Sequence, residues 1–145
     1  MNGEYRRLLF LCTGNYYRSR FAEILFNHLA AQHDIPWQAD SRGLHLVASN
    51  EGPISRHTLR ALERLGIAVD AEHRYPRRVD DEDFEVAHLV VAVKETEHRP
   101  MVKRDFPHRE AQVEFWEIHD VDFAPPHVAL PELGWHVERL AERLR

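Results

Sequence analysis

A nucleophile and an anion-binding side chain lie close together near the N-terminus, in the string Cys12-Thr13-Gly14-Asn15-Tyr16-Tyr17-Arg18-Ser19. The cysteine can act as a thiolate nucleophile, and the guanidinium of Arg18 offers a planar fork of donors that suits a phosphoryl group. Backbone N–H groups at the start of a helix favour the same anion. The spacing therefore predicts one loop that supplies both a nucleophile and a cradle for a tetrahedral oxyanion.

The residues on either side of this loop predict the elements that position it. Residues 7–12 include the apolar run Leu8-Leu9-Phe10-Leu11, which is typical of a central parallel strand. Over residues 18–33, large apolar side chains recur at helical spacing. Because the loop would join the end of a strand to the N-terminus of a helix, the helix dipole would favour the thiolate form of Cys12.

Strands and helices alternate along the rest of the chain. Three more strands are predicted, at residues 37–43, 89–93 and 113–118. Three more helices are predicted, at residues 53–65, 97–105 and 130–144. Residues 67–78 are expected to be irregular, and the acidic run 80–83 to form a solvated loop or the first turn of a short helix.

This alternation predicts an α/β fold. We expect a single three-layer domain over residues 1–145, with a four-stranded parallel sheet and helices on both faces. The phosphate-binding loop would lie between the first strand and the first helix. In such sheets ligands bind at the carboxyl ends of the strands, which is where Cys12 would lie.

A reaction through a cysteinyl phosphate also needs a group that exchanges protons. An acid must protonate the leaving oxygen, and a base must later activate water. Such a group should come from the carboxyl end of another strand. After the fourth predicted strand the chain reads His119-Asp120-Val121-Asp122, so the candidates are Asp120, Asp122 and His119.

The string Cys-x-Gly-Asn-x-x-Arg-Ser, placed between a strand and a helix, resembles the low-molecular-weight protein tyrosine phosphatases. The likeness extends over nearly the whole chain, through Ser41-Arg42-Gly43, residues 53–56 and Asp83-Phe84. It implies that Cys12 is the nucleophile and that Arg18 binds phosphate. It also implies that Asn15 holds the shape of the loop, that Ser19 hydrogen-bonds the thiolate, and that the remaining loop residues contribute mainly backbone N–H groups: Thr13, Gly14, Tyr16 and Tyr17.

The resemblance also bears on the general acid. The family places it in an Asp-Pro pair after the last strand, and the register from Trp116 and Ile118 puts Asp120 on that aspartate. The partner proline is replaced by Val121, so Asp122 stays the second candidate.

Other departures from the family pattern fall on the rim of the expected pocket. Tyr17 stands where many members have a second cysteine, and Tyr16 is bulky at a position that shapes the pocket. Val47 replaces an aromatic wall, and Lys94 replaces an aspartate after the third strand. The substrate therefore stays open between phosphotyrosine and another phosphomonoester.

Composition narrows the class of protein. The chain has 145 residues, a formal net charge of −5, 43% hydrophobic and 30% charged residues, which is typical of a globular protein without a nucleic-acid footprint. No apolar stretch is long enough to suggest a membrane span, and the N-terminal apolar run is interpreted as a strand rather than a signal peptide. The single cysteine allows no internal disulfide and favours a cytoplasmic setting.

We expect no cofactor and no metal, and we expect the 11 histidines to be surface residues. The expected partners are a phosphorylated protein or a small phosphomonoester, and oxyanions such as phosphate or vanadate. Two other functions stay open. One is arsenate reduction with an external small thiol. The thioredoxin-coupled version of that reaction is excluded, because it needs two further cysteines and this chain has only one cysteine. The other is a phosphate- or phosphoprotein-binding module without turnover.

Overall fold

A computed structural model describes residues 4–69, 73–118 and 126–145, the last range without the side chains of residues 126–129. It contains a sheet of four strands: β1 (Arg6–Cys12), β2 (Trp37–Gly43), β3 (Leu89–Ala92) and β4 (Val113–Phe115). Their order is β2-β1-β3-β4, and every neighbouring pair is parallel. β1 lies between β2 and β3, where the direction of the strand order reverses, so Cys12 ends a central strand at the switch point of the sheet.

The helices that connect and cover these strands are α1 (Arg18–His33), α2 (Arg56–Arg64), α3 (Asp81–Val86), α4 (Glu95–Asp105) and α5 (Pro126–Leu144). A 3₁₀ helix over Pro107–Gln112 precedes β4. The predicted bounds of α1 and β2 are those observed.

Other predicted bounds need correction. The second helix begins at residue 56 rather than 53, because Ser55 caps it by accepting a hydrogen bond from the His57 N–H at 3.1 Å. The acidic run does begin a helix, α3, which Asp80 and Asp83 cap reciprocally. α4 starts two residues earlier than predicted, β4 ends three residues earlier, and α5 starts four residues earlier.

Side chains that alternate along β1 bury themselves on opposite faces of the sheet. Leu8 and Phe10 join one apolar cluster with residues of α1 and α5, including Phe21, Phe26 and Leu133. Leu9 and Leu11 join a second cluster on the other face, with residues of α3 and α4: Phe84 and Val102. The predicted fold, a four-stranded parallel sheet with helices on both faces, is confirmed. Within the described residues, none of the helices is both long enough and apolar enough to cross a membrane.

Candidate active site

The predicted nucleophile lies at the base of a cleft. Cys12 is 2% exposed, and its Sγ is hydrogen-bonded to Ser19 Oγ at 2.9 Å. The 12–19 loop leads from β1 into α1, and the cleft above it has a volume of about 510 Å³. Arg18, the first residue of α1, also lines this cleft and is 7% exposed. The structure thus places Cys12, Arg18 and Ser19 together.

Asn15 holds the backbone of the loop in an unusual shape. It has a φ of 51° and is fully buried. Its Nδ2 donates to Ser19 Oγ and to Ser41 Oγ, each at 2.9 Å. Its Oδ1 accepts from the Arg77 N–H at 3.0 Å and from Arg74 Nη1 at 2.9 Å. A left-handed residue other than glycine costs about 1–2 kcal/mol, and these four hydrogen bonds, two of them buried and two partly buried, offset that cost.

The carbonyl groups of the segment are anchored by its neighbours. The carbonyl oxygens before α1 that accept hydrogen bonds from outside the segment are Cys12 O from the Leu44 N–H (2.9 Å), Thr13 O from the His45 N–H (2.9 Å), Asn15 O from Arg20 Nη1 (3.5 Å), Tyr16 O from the Ser55 N–H (2.9 Å) and Tyr17 O from Thr58 Oγ1 (2.8 Å). The C=O and N–H of a planar trans peptide point in opposite directions. The N–H groups that share these peptide planes therefore point away from the supporting residues.

Two arginine side chains, Arg20 and Arg74, hydrogen-bond Asn15. Arg20 is 4% exposed and donates to the carbonyl oxygens of Pro53 and Arg74, each at 2.9 Å. Burial, together with the charge of Arg74, lowers the pKa of Arg20 to about 10, so it stays protonated at neutral pH. Arg74 Nη2 in turn lies 3.2 Å from Glu23 Oε1, and burial raises the pKa of Glu23.

Two residues that the sequence did not predict complete the site. The carboxylate of Glu97, in the first turn of α4, lies against Arg18, with Oε2 3.0 Å from Nη2 and Oε1 3.4 Å from Nη1. Thr13 Oγ1 donates a hydrogen bond to Glu97 Oε2. His98 Nε2 lies 3.1 Å from Thr13 Oγ1 and 3.3 Å from Glu97 Oε2.

The protonation states of this pair follow from their contacts. Burial would raise the pKa of Glu97, but the hydrogen bond from His98 and the charge of Arg18 outweigh it and hold the pKa well below its usual range. Burial lowers the pKa of His98, whose Nδ1 accepts from the Lys94 N–H at 3.1 Å. His98 is therefore neutral at pH 7 and carries its proton on Nε2, where it faces the carboxylate of Glu97.

The prediction that the histidines are surface residues is wrong for His98, which is 0% exposed. His98 lies in the first half of α4 and contacts the loop after β1, with Nε2 3.1 Å from Thr13 Oγ1. The sequence does carry one signal for Glu97. It is an acidic residue near the start of a predicted helix, and that helix follows β3, the strand beside β1. That signal becomes specific only when the start of the helix is known.

The family departures at the rim can be placed as well. Tyr16, Tyr17 and Val47 all line the cleft, and Tyr16 Oη donates to the Glu51 carbonyl at 2.6 Å. Lys94 Nζ lies 3.3 Å from Glu117 Oε2.

The predicted general acid, Asp120, lies outside the described residues, as do Asp122, His119 and Val121. In the part of the chain that the structure describes, no group of three or more histidine, cysteine, aspartate or glutamate side chains is arranged to hold a metal ion.

A sequence profile described as low molecular weight phosphotyrosine protein phosphatase matches residues 7–132, which is most of the chain. The chain belongs to this phosphatase family. The resemblance drawn from the 12–19 loop is thereby confirmed. Its family members are enzymes, and this chain is a low-molecular-weight phosphatase of the class that uses a cysteine nucleophile.

Several solved structures share the fold along nearly their whole length. The low molecular weight protein tyrosine phosphatase from T. tengcongensis is 24% identical, with a TM-score of 0.80 over 96% of this chain and 99% of that one. YfkJ from Bacillus subtilis is 21% identical, with a TM-score of 0.83 over 99% and 96%. The YwlE arginine phosphatase from Geobacillus stearothermophilus is 28% identical, with a TM-score of 0.75 over 96% and 92%. The search of curated proteins gave no match.

Proposed function

We propose that this phosphatase hydrolyses phosphomonoesters through a cysteinyl-phosphate intermediate formed on Cys12. The observation that carries the proposal is the position of Cys12 in the wall of the cleft, where its Sγ is hydrogen-bonded to Ser19 Oγ and Arg18 lines the same cleft. The Sγ thiolate attacks phosphorus, an S–P bond forms and the P–O bond to the leaving group breaks. A water molecule then attacks the same phosphorus, and the S–P bond breaks to release inorganic phosphate and the thiolate.

The oxyanion is bound by the 12–19 loop in this proposal. The N–H groups of the loop and the start of α1 stabilise the equatorial phosphoryl oxygens, and Arg18 adds a bidentate contact. The residues assigned to this cradle are Thr13, Gly14, Asn15, Tyr16, Tyr17, Arg18 and Ser19. Asn15 acts through its left-handed backbone, which sets the shape of the loop that carries these N–H groups.

Asp120 is proposed as the general acid and base. It would protonate the leaving oxygen in the first step and take a proton from water in the second. The support is the family register and the position of Asp120 in the chain, shortly after β4, whose carboxyl end lies at the same edge of the sheet as Cys12. No cofactor enters either step.

The substrate proposed is a phosphorylated protein or a small phosphomonoester, and the setting proposed is the cytoplasm, where a lone cysteine stays reduced. Residues 1–145 are proposed to form one domain, which the near-complete coverage of the similar structures supports. The relatives differ in leaving group, since one is named a tyrosine phosphatase and another an arginine phosphatase. Phosphotyrosine and phosphoarginine therefore both belong among the substrates to be assayed. Phosphoarginine is a phosphoramidate rather than a phosphomonoester, so in its case the bond that breaks as the S–P bond forms is P–N.

The test is hydrolysis of an aryl phosphate by the wild type beside Cys12→Ser, with phosphotyrosine peptide and phosphoarginine as further substrates. We expect turnover by the wild type and none by Cys12→Ser. Reduction of arsenate by an external small thiol is assayed in parallel, and a rate above that of phosphate release would favour the arsenate reductase alternative. Binding of inorganic phosphate by the wild type without hydrolysis of any phosphomonoester would favour a binding module.

A further inference from the structure

Glu97 contacts one particular edge of the Arg18 guanidinium. Both of its carboxylate oxygens face the two terminal nitrogens, Oε1 toward Nη1 and Oε2 toward Nη2. This end-on contact uses one hydrogen on each terminal nitrogen. A guanidinium has a second edge, formed by Nε–H and the other Nη2 hydrogen, which can bind two oxygens of a phosphoryl group in the same plane. Glu97 does not compete for that edge.

Glu97 is itself held from three sides. Thr13, the residue after the nucleophile, donates its hydroxyl proton to Oε2. The proton on His98 Nε2 lies between Thr13 Oγ1 and Glu97 Oε2, and the ring is fixed at its other nitrogen by the Lys94 N–H. The side chain of Glu97 is 24% exposed, against 9% for Arg18, so the pair lies at the wall of the cleft with the arginine inside. A carboxylate held in this way fixes the plane of the guanidinium that it contacts.

We propose that Glu97 is a positioning residue, which holds the Arg18 guanidinium by its terminal edge so that the Nε edge faces the phosphoryl group above Cys12. The proposal rests on the phosphate-binding role proposed above for Arg18. Glu97 does not transfer a proton in the reaction, because its carboxylate is engaged by three donors.

The experiment is a double-mutant cycle on Glu97 and Arg18. The four proteins are the wild type, Glu97→Gln, Arg18→Ala and the double variant. Chemistry is measured in single-turnover reactions with enzyme in excess over an activated aryl phosphate, which allows very slow variants to be followed. Glu95→Gln is the matched control, because Glu95 lies in the same turn of α4 and pairs with Arg99 at 2.8 Å. Thermal unfolding of each protein checks that it is folded, and Glu97→Asp takes the place of Glu97→Gln if that variant does not fold.

We expect Glu97→Gln to slow the chemical step by about tenfold, equivalent to about 1.4 kcal/mol, with little change in KM. Glu95→Gln should stay within about twofold of the wild type, the scale of an exposed ion pair. In the Arg18→Ala background, Glu97→Gln should have almost no further effect. The loss should be equal for good and poor leaving groups, and the pH profile should keep its shape, because no proton transfer is removed.

Three results would overturn the inference, and the third, a failure of the proposed role of Arg18, is distinguishable from the other two. If Glu97→Gln slows the reaction equally with and without Arg18, Glu97 acts by another route. If Glu97→Gln matches Glu95→Gln in rate, the contact has no catalytic effect. If Arg18→Ala itself retains the wild-type rate, the phosphate-binding role of Arg18 fails, and the role of Glu97 falls with it.

Discussion

Gly43 lies where the second strand supports the nucleophile loop, and replacing it by alanine should disturb both. Gly43 pairs with Cys12 across β1 and β2. A Cβ atom at this position would lie 2.7 Å from the Thr13 carbonyl oxygen, 2.8 Å from Leu46 Cδ2 and 3.1 Å from the Asn15 nitrogen. Two of these three atoms belong to the backbone of the 12–19 loop, which cannot rotate away as a side chain can.

The size of the effect follows from these contacts. Relieving an overpacked contact of this kind costs about 1–3 kcal/mol. Gly43 is not among the glycines with positive φ, so alanine brings no backbone strain and gains about 0.4–1 kcal/mol by restricting the unfolded chain. The net expectation is a loss of about 1–2 kcal/mol in the free energy of unfolding. Displacement of the loop by a fraction of an ångström should also reduce kcat/KM by about tenfold or more.

Gly134→Ala is the matched control for this prediction. Its Cβ would lie 3.7 Å from Leu25 and from the ring of Phe21, which is ordinary van der Waals contact inside α5. The same substitution should there raise the free energy of unfolding by about 1 kcal/mol, the helix propensity difference, and leave the rate unchanged.

The measurement is urea unfolding followed by fluorescence, together with kcat/KM for an aryl phosphate, on both variants and the wild type. We expect the free energy of unfolding to fall in Gly43→Ala and to rise in Gly134→Ala. Only Gly43→Ala should lose kcat/KM. If Gly43→Ala is as stable and as active as the wild type, the loop does not depend on close contact with β2.

Three further predictions concern the chemistry. Arg18→Lys should lose at least about tenfold in kcat/KM for an aryl phosphate, because an ammonium is a point charge and not a fork; steady-state kinetics within a few-fold of the wild type would show that the loop N–H groups suffice. Peroxide should oxidise Cys12 to a sulfenic acid that no neighbouring thiol can trap, because Tyr17 stands where many family members have a second cysteine. Added thiol should therefore restore activity only at early times. Full recovery after long exposure, measured by activity and mass spectrometry, would contradict this. Asp120→Asn should slow hydrolysis of an alkyl phosphate far more than that of an activated aryl phosphate. It should also remove the fall in rate that the wild type shows at higher pH, where the acid loses its proton. If Asp122→Asn shows this pattern and Asp120→Asn does not, the general acid is Asp122.

The sequence was sufficient for the fold and for the nucleophile loop. Apolar runs and helical spacing around the loop predicted β1 and α1, and the single cysteine left no ambiguity about the nucleophile candidate. These features are local, since they depend on residues that lie next to one another along the chain.

The features that the sequence did not predict depend on contacts between distant parts of the chain. Glu97 and His98 are 84 and 85 residues from Thr13 along the chain, and they meet it because β3, which α4 follows, lies beside β1. Helical periodicity shows which side chains share a face of α4, but it does not show that this face meets the loop after β1. The steric demand at Gly43 is likewise invisible until two strands are paired.

The most direct test of the central claim is rapid acid quenching of the wild type during turnover of an aryl phosphate, followed by peptide mass spectrometry. A cysteinyl-phosphate mechanism predicts one phosphoryl group on the peptide that contains Cys12, formed as fast as the phenol is released. The mechanism is contradicted if the phosphoryl group is found on a residue other than Cys12. It is also contradicted if phenol is released while no phosphoryl group is bound to the enzyme.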